Sequence, residues 1–287
     1  MKNIAVLITC FNRKEKTLKC LNSLQESWEN AGKSVSLSVF LTDDGCTDGT
    51  ADAILAAQFH IPVHILQGTG SLYWNGGMIN SWKAALAEGG FDGYLWLNDD
   101  TYALPEFWED LIAADEHSLR TYGKRGIYVG STKDAKTDSF TYGGFNYVSQ
   151  ITLLDQFVIP DGQTFQSCQA AHGNITYVSQ EVVQKKGIFC DKYWHGGTDH
   201  DYTYLAHKAG FPVLVLPHYA AVCENDHHTG KKRKRTWLSR KHRFNNIMLF
   251  NARCFPWRVP FAFVSELIKT LFPSFGYATY RKLRGAK

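Results

Sequence analysis

Two short acidic runs stand directly behind apolar segments of this 287-residue chain. Asp43-Asp44-Gly45-Cys46-Thr47-Asp48-Gly49-Thr50 follows residues 35–41, and Asn98-Asp99-Asp100 follows residues 94–97. A carboxylate only accepts hydrogen bonds, so at a strand end it can read the N–H groups of a base or the hydroxyls of a ribose. Its oxygens are also the ligands that hard divalent cations prefer. In an open parallel sheet, ligands sit beyond the carboxyl ends of the strands. Two acidic strand ends in one such frame imply a nucleotide and a metal ion sharing one crevice. A calcium loop of the helix–loop–helix kind is excluded at the first run, because Cys46 stands where that loop needs an oxygen ligand.

The elements that must position these residues follow from periodicity. Residues 4–8 are a continuous apolar run, and 35–41 alternate with Val35, Leu37, Val39 and Leu41 on one face. Residues 63–66 and 94–97 read as further strands. Between them, Leu18, Leu21 and Leu24 mark a helix over 14–28, and Thr47 is the expected N-cap of a helix through Ile54. Residues 78–88 and 105–117 complete the helices, the last with Pro105 at its first position. This alternation predicts a mainly parallel, helix-covered sheet. From 127 to 166, Gly, Tyr, Thr and Ser predominate, which predicts short strands and long loops of the kind that build acceptor pockets. Helical spacing returns at 201–209, a compact strand at 213–216, and helices around 247–250 and 264–271.

Length and composition set the bounds. The chain can bury one large core plus a small appendage. No apolar run reaches membrane-span length, and no signal peptide is expected. The seven cysteines are odd in number and lack a Cys-x-x-Cys pair, which predicts reduced thiols in a cytoplasmic protein. The net charge of +4 hides an asymmetry: residues 1–226 carry −10, whereas residues 227–287 carry +14, with Glu266 their single acid. The division expected is a catalytic domain at 1–226 and a basic, aromatic-rich helical extension at 227–287 packed on it.

Taken in order, Thr9-Cys10-Phe11-Asn12-Arg13, the Asp43 to Thr50 run, the glycine-rich stretch 68–77, Leu97-Asn98-Asp99-Asp100 and Thr198-Asp199-His200-Asp201 resemble family 2 glycosyltransferases of the GT-A fold. The likeness covers roughly residues 3–225 and is nearest to bacterial surface-polysaccharide enzymes, rhamnosyltransferase-like members included. It implies a Rossmann-like α/β fold, a nucleotide-diphosphate sugar donor, and Mn²⁺ or Mg²⁺. Thr9, Phe11, Asn12 and Arg13 would then line the nucleotide, and Asp43 or Asp44 would meet base and ribose. Gly76 and Gly77 would bring backbone amides near the diphosphate at a helix start, and Trp74 would stack on sugar or base or simply pack. Asn98-Asp99-Asp100 occupies the family's Asp-x-Asp position with Asn in place of the first acid. Asp100 becomes the metal ligand there, and Asp99 faces ribose or metal.

Asp199 falls where relatives carry their catalytic acid, which implies a general base that takes the acceptor hydroxyl's proton during inverting displacement. Asp201 reads as a brace for the following helix and His200 as a neighbour that tunes the loop. His227, ahead of His228, is the second metal-ligand candidate, since a neutral imidazole nitrogen can hold such a cation. The cationic stretch of 231–235, Arg240, Lys241 and Arg243, interleaved with Trp237 and Phe244, suits an anionic membrane surface. The expected partners are the sugar donor, a saccharide or lipid-linked saccharide acceptor, and that surface on the inner face of the membrane. No specific nucleic acid is expected, because acidic strand ends would repel phosphates. The remaining alternatives are a catalytically silent GT-A-like domain and a basic-tail binding protein; a nucleotidyltransferase lacks its Arg- and Lys-bearing glycine loop after Ile8.

Overall fold

A computed structural model describes residues 2–223 and 237–271. The chain opens with β1 (Asn3–Cys10), α1 (Lys14–Asn30), β2 (Ser36–Asp43), α2 (Thr50–Ala57), β3 (Val63–Gln67), α3 (Tyr73–Glu88) and β4 (Gly93–Leu97). Next come β5 (Thr101–Ala103), α4 (Phe107–Tyr122), β6 (Ile127–Lys133), β7 (Phe140–Tyr142), β8 (Gly144–Ser149) and β9 (Leu154–Phe157). The short β10 (Gln166–Ser167) and β11 (Ala170–Ala171) precede β12 (Ile175–Ser179), α5 (Gln180–Lys186), α6 (Thr198–Lys208) and β13 (Val213–Cys223). Two C-terminal helices, α7 (Trp237–Cys254) and α8 (Val259–Leu271), flank a 3₁₀ turn at Pro256–Arg258.

β1 shows why the sheet is central. Ile4, Val6 and Ile8 enter one apolar cluster with α1 and α4, while Ala5 and Leu7 enter another with α3 and α6. A strand buried on both faces must be apolar at every position, which is the continuous run seen in the sequence. Among the described residues the main sheet has ten strands, ordered β10-β13-β6-β12-β4-β1-β2-β3, with β5 on β13 and β7 on β6. β3, β2, β1 and β4 are all parallel. β12 lies antiparallel between β4 and β6, and β6 and β13 are again parallel. The α/β frame with a mostly parallel sheet and helices on both faces is therefore as expected. The chain steps outward from β1 through β2 to β3, then returns to place β4 on the other side of β1. That reversal opens a crevice beyond the carboxyl ends of β1, β2 and β4.

Several boundaries differ from the sequence reading, each for a long-range reason. Thr47 does not cap α2; the helix starts at Thr50, whose N–H and hydroxyl both donate to Asp48 Oδ1 at 3.2 and 2.5 Å. α3 begins five residues before the expected 78, because Asp44 Oδ2 accepts from the Tyr73 N–H at 3.0 Å and anchors its first turn. Pro105 precedes α4 instead of opening it. β13 continues through Pro217 to Cys223, with the break in pairing absorbed by register shifts between Val215 and Ala221.

Cys254, the last residue of α7, and Phe255 after it join Phe145, Ala170 and Tyr204 in a third apolar cluster. Arg258 donates from Nε and Nη2 to the Ile151 carbonyl at 3.1 and 2.9 Å, tying the turn before α8 to the β8–β9 hairpin.

Candidate active site

The β1–α1 loop crosses the crevice first. Asn12 adopts a left-handed φ of 51° and its Oδ1 accepts from the Thr47 N–H at 2.7 Å, so it fastens its loop to the one after β2. Phe11, half exposed beside it, presents a ring at the mouth. Arg13 points the other way: Nη1 lies 2.8 Å from Asp99 Oδ1, and Nη2 pairs with Asp100 Oδ2. One guanidinium thus spans both acids behind β4, the planar fork geometry that suits Arg and not Lys.

Asp43 and Asp44, both buried, divide their tasks. Asp44 Oδ1 accepts from the Gly70 N–H at 2.9 Å while Oδ2 holds Tyr73, so both oxygens are committed to backbone. Asp43 Oδ1 accepts from the Cys46 N–H at 2.6 Å. Gly77 and Gly76 lie within the first turns of α3. A Cβ on Gly77 would stand 2.0 Å from Thr9 Oγ1, and one on Gly76 would meet Leu72 Cβ at 3.1 Å. Both glycines therefore serve close packing within the protein, and Thr9 is the partner that Gly77 admits.

Behind β4, burial pushes the Asp99 carboxyl up to about 7; the charge of Asp100 adds to the rise, and Arg13 opposes it. Asp99 Oδ2 is buried without a hydrogen-bond partner. An orphaned carboxylate oxygen next to a second carboxylate is a hard, oxygen-only donor set, which fits Mg²⁺ or Mn²⁺ better than a softer ion. Among the described residues no group of three His, Cys, Asp or Glu could hold a metal. A cation here would thus draw its other ligands from diphosphate and water, as Mg²⁺ usually does. His227, the other metal candidate, lies outside the described residues, as does the run 231–235.

A connected set of contacts leads from these acids to Asp199. The Trp74 indole N–H donates to Asn98 Oδ1 at 2.7 Å. The same ring covers Gly173, where a Cβ would lie 3.0 Å from it, and the Gly173 N–H donates to Asp199 Oδ2 at 3.0 Å. Trp74 thus packs against Gly173 and orients Asn98. Asp199 is the second residue of α6, which Gly197 introduces at a φ of 93°, a conformation that favours glycine. A negative side chain in this first turn also suits the helix dipole. Beneath it, the His172 Nδ1–H donates to the Gly143 carbonyl at 3.0 Å, and its ring stands 4.8 Å from that of His200. Burial and the neighbouring His200 hold His172 down at about 4, against the raising effect of Asp199.

Beside the start of α6 lies a cavity of about 310 Å³, walled by Phe145 and Tyr147 of β8, Gly197 before α6, His200 of α6, and Asn246, Ile247 and Phe250 of α7. Asn246 also holds the loop before α6: its Nδ2 donates to the Trp194 and Gly196 carbonyls at 2.7 and 2.9 Å, and its Oδ1 accepts from the Trp194 N–H. Sequence reasoning passed over Gly173, His172 and Asn246, because each acts on a segment remote in the chain. Asn75 was missed likewise; its Nδ2 donates to the Cys190 and Tyr193 carbonyls at 2.9 and 3.0 Å.

Similar folds occur among solved structures. The fragment 1–349 of S. aureus TarS in complex with UDP-GlcNAc superposes with a TM-score of 0.63 at 14% identity, over 88% of this chain and 66% of that one. The mannosyltransferase PcManGT from Pyrobaculum calidifontis, in complex with GDP-Man and Mn²⁺, gives 0.57 at 15% identity, over 99% and 79%. This chain thus spans just under two thirds of the TarS fragment. No curated protein sequence matches the chain. The profile of Glycosyl transferase family 2 matches residues 5–183. With more than half of its length matched, and the acids of β2 and β4 inside the match, the chain belongs to glycosyl transferase family 2.

Proposed function

We propose that the protein moves a sugar, with inversion, from a nucleotide-diphosphate sugar to an acceptor hydroxyl in bacterial surface-polysaccharide synthesis. The observation that carries this reading is the contact path from Asn98 through Trp74 and Gly173 to Asp199. It supports a donor site and a base built as one rigid unit.

On the donor side, Asp43 is the acid that receives base and ribose hydroxyls, since Asp44 is committed to the Gly70 and Tyr73 amides. Phe11 supplies an exposed face at the mouth. Asp100 and the orphaned Asp99 oxygen would hold the divalent cation, with Asn98 oriented by Trp74 beside them. When bound, that ion supplies positive charge that stabilises the departing diphosphate. Arg13 keeps the two acids aligned and lowers their mutual repulsion. The structures of similar fold were solved with UDP-GlcNAc and with GDP-Man, which supports the donor class.

On the acceptor side, the cavity receives a saccharide or lipid-linked saccharide, and its aromatic walls match the C–H faces of sugar rings. Asp199 removes the acceptor hydroxyl's proton as that oxygen attacks the anomeric carbon. Direct displacement with inversion needs one base, and Asp199 is assigned that role. The +14 charge of residues 227–287 makes an anionic membrane surface the accompanying partner of a cytoplasmic enzyme.

The test is a thermal-shift screen of UDP-, GDP-, dTDP- and CMP-sugars with and without Mn²⁺. A ligand that binds only the folded state raises the melting temperature by mass action. One nucleotide should stand out, and more strongly with metal; no shift from any donor would sink the donor-site reading.

A further inference from the structure

α8 is built inside out. On a helix packed against a domain, apolar residues face inward and polar ones face water. Here Glu266 is buried, ion-paired to Arg243 of α7 at 3.3 Å and to Lys269 at 2.6 Å. Its opposite side presents Phe261, Val264, Leu267 and Ile268, spaced for one helical face, with Trp257 four residues ahead of Phe261 continuing it. Phe261 is 68% exposed and Trp257 50%. A contiguous apolar stripe of this kind marks a surface that meets a partner.

The charge around the stripe selects the partner. Arg240, Lys241 and Arg243 are exposed on α7, and residues 227–287 carry +14. A second copy meeting this face would bring like charges together, whereas an anionic bilayer complements them. Aromatic rings flanked by cations also suit the headgroup boundary, where rings embed and charges stay outside. Among the described residues no helix is long and apolar enough to cross a membrane, so the contact is one of lying on the surface.

We infer that the exposed face of α8 is a bilayer-docking surface that embeds in anionic lipid. It deepens the membrane partnership proposed above and rests on that reading, with this helix as the contact. α7 then stands between the bilayer contact and the cavity, since it walls the cavity with Asn246, Ile247 and Phe250 and pairs with α8 through Arg243. An acceptor carried on a lipid would reach the cavity from that side.

The test is flotation of the full chain with phosphatidylglycerol-containing vesicles and with phosphatidylcholine vesicles, across increasing salt. The chain should float with the anionic vesicles, less so as salt rises, and weakly with the neutral ones. Phe261→Glu/Leu267→Glu should lower binding by roughly 10–100-fold, the scale of leaving one buried apolar side chain unburied. Its melting temperature and nucleotide-induced shift should stay unchanged, which separates loss of docking from unfolding. Absence of anionic-vesicle binding would overturn the inference, as would equal binding by the variant. So would a concentration-dependent dimer that the same variant abolishes while vesicles fail to bind. None of these outcomes depends on the donor screen, so docking and the transferase reading fail separately.

Discussion

Arg253 of α7 places its Nε 2.8 Å from Asp201 Oδ1 on α6, and the carboxylate it meets is almost fully buried. Asp201 thus braces the start of α6 against the C-terminal helix, two residues from Asp199. Removing one partner leaves a buried charge uncompensated. Arg253→Ala should destabilise the fold by roughly 2 kcal/mol, less than a fully buried pair because the guanidinium is partly solvated. Urea unfolding measures it, and a midpoint equal to the parent's would show that Asp201 finds other support.

Asp199→Asn keeps the size of the side chain and its acceptor for the Gly173 N–H. Turnover should fall by roughly 10²–10⁴-fold, the usual scale for losing a general base. The nucleotide-induced thermal shift should remain. Near-normal turnover would remove Asp199 from the base role.

Asp100→Ala removes one carboxylate of the pair that Arg13 spans. The Mn²⁺-dependent part of donor binding should drop at least about tenfold, as when a close ligand or its support is lost. Isothermal titration with and without the ion reads this directly. An unchanged metal response would move the ligand elsewhere, with His227 the next candidate.

His172 gives the acid limb of stability a definite sign. Its folded value, held at about 4 by burial and by His200, lies below the ordinary 6.5. Between these values the unfolded chain binds the proton and the folded chain does not. Stability is therefore full above pH 6.5 and is lost as pH falls toward 4. His172→Gln, which retains a donor for the Gly143 carbonyl, should flatten that limb in urea titrations across the window. An unaltered slope would assign the acid loss to carboxylates.

Thr9 and Gly77 form a pair that only a missing side chain permits. Gly77→Ala should cost about 1–3 kcal/mol by overpacking. Adding Thr9→Ala should recover part of it, because the Oγ1 clash at 2.0 Å disappears while the Cβ contact at 2.7 Å remains. A double-mutant cycle with no coupling would rule the contact out as the cause.

The frame is legible because its strands are short and apolar, a pattern local to each segment, and because carboxylates stand at the ends of β2 and β4. What stayed hidden depends on contacts across the chain. The start of α3 is set by Asp44, 29 positions away, and Asn98 is oriented by an indole 24 positions earlier. Gly76 and Gly77 looked like a ligand cradle, since a glycine pair at a helix start carries no mark of which neighbour needs the space. Trp74 reads from sequence as either stacking or packing, and only Gly173, 99 positions on, shows what its ring packs against. The hydrophobic spacing of 264–271 was plain in the sequence, but which way that face points was not.

The wall that α7 contributes to the cavity has a practical corollary. The nucleotide-facing candidates come from the first hundred residues, whereas Asn246, Ile247 and Phe250 come from the far end of the chain. On the proposed assignment, the donor-side residues and one wall of the acceptor cavity come from opposite ends of one polypeptide. A graft that exchanges everything beyond residue 236 between two relatives would carry one side of the acceptor cavity and leave the donor side intact. Such chimeras should keep the sugar nucleotide of the N-terminal parent and show a shifted acceptor preference, since the rest of the cavity wall stays with that parent.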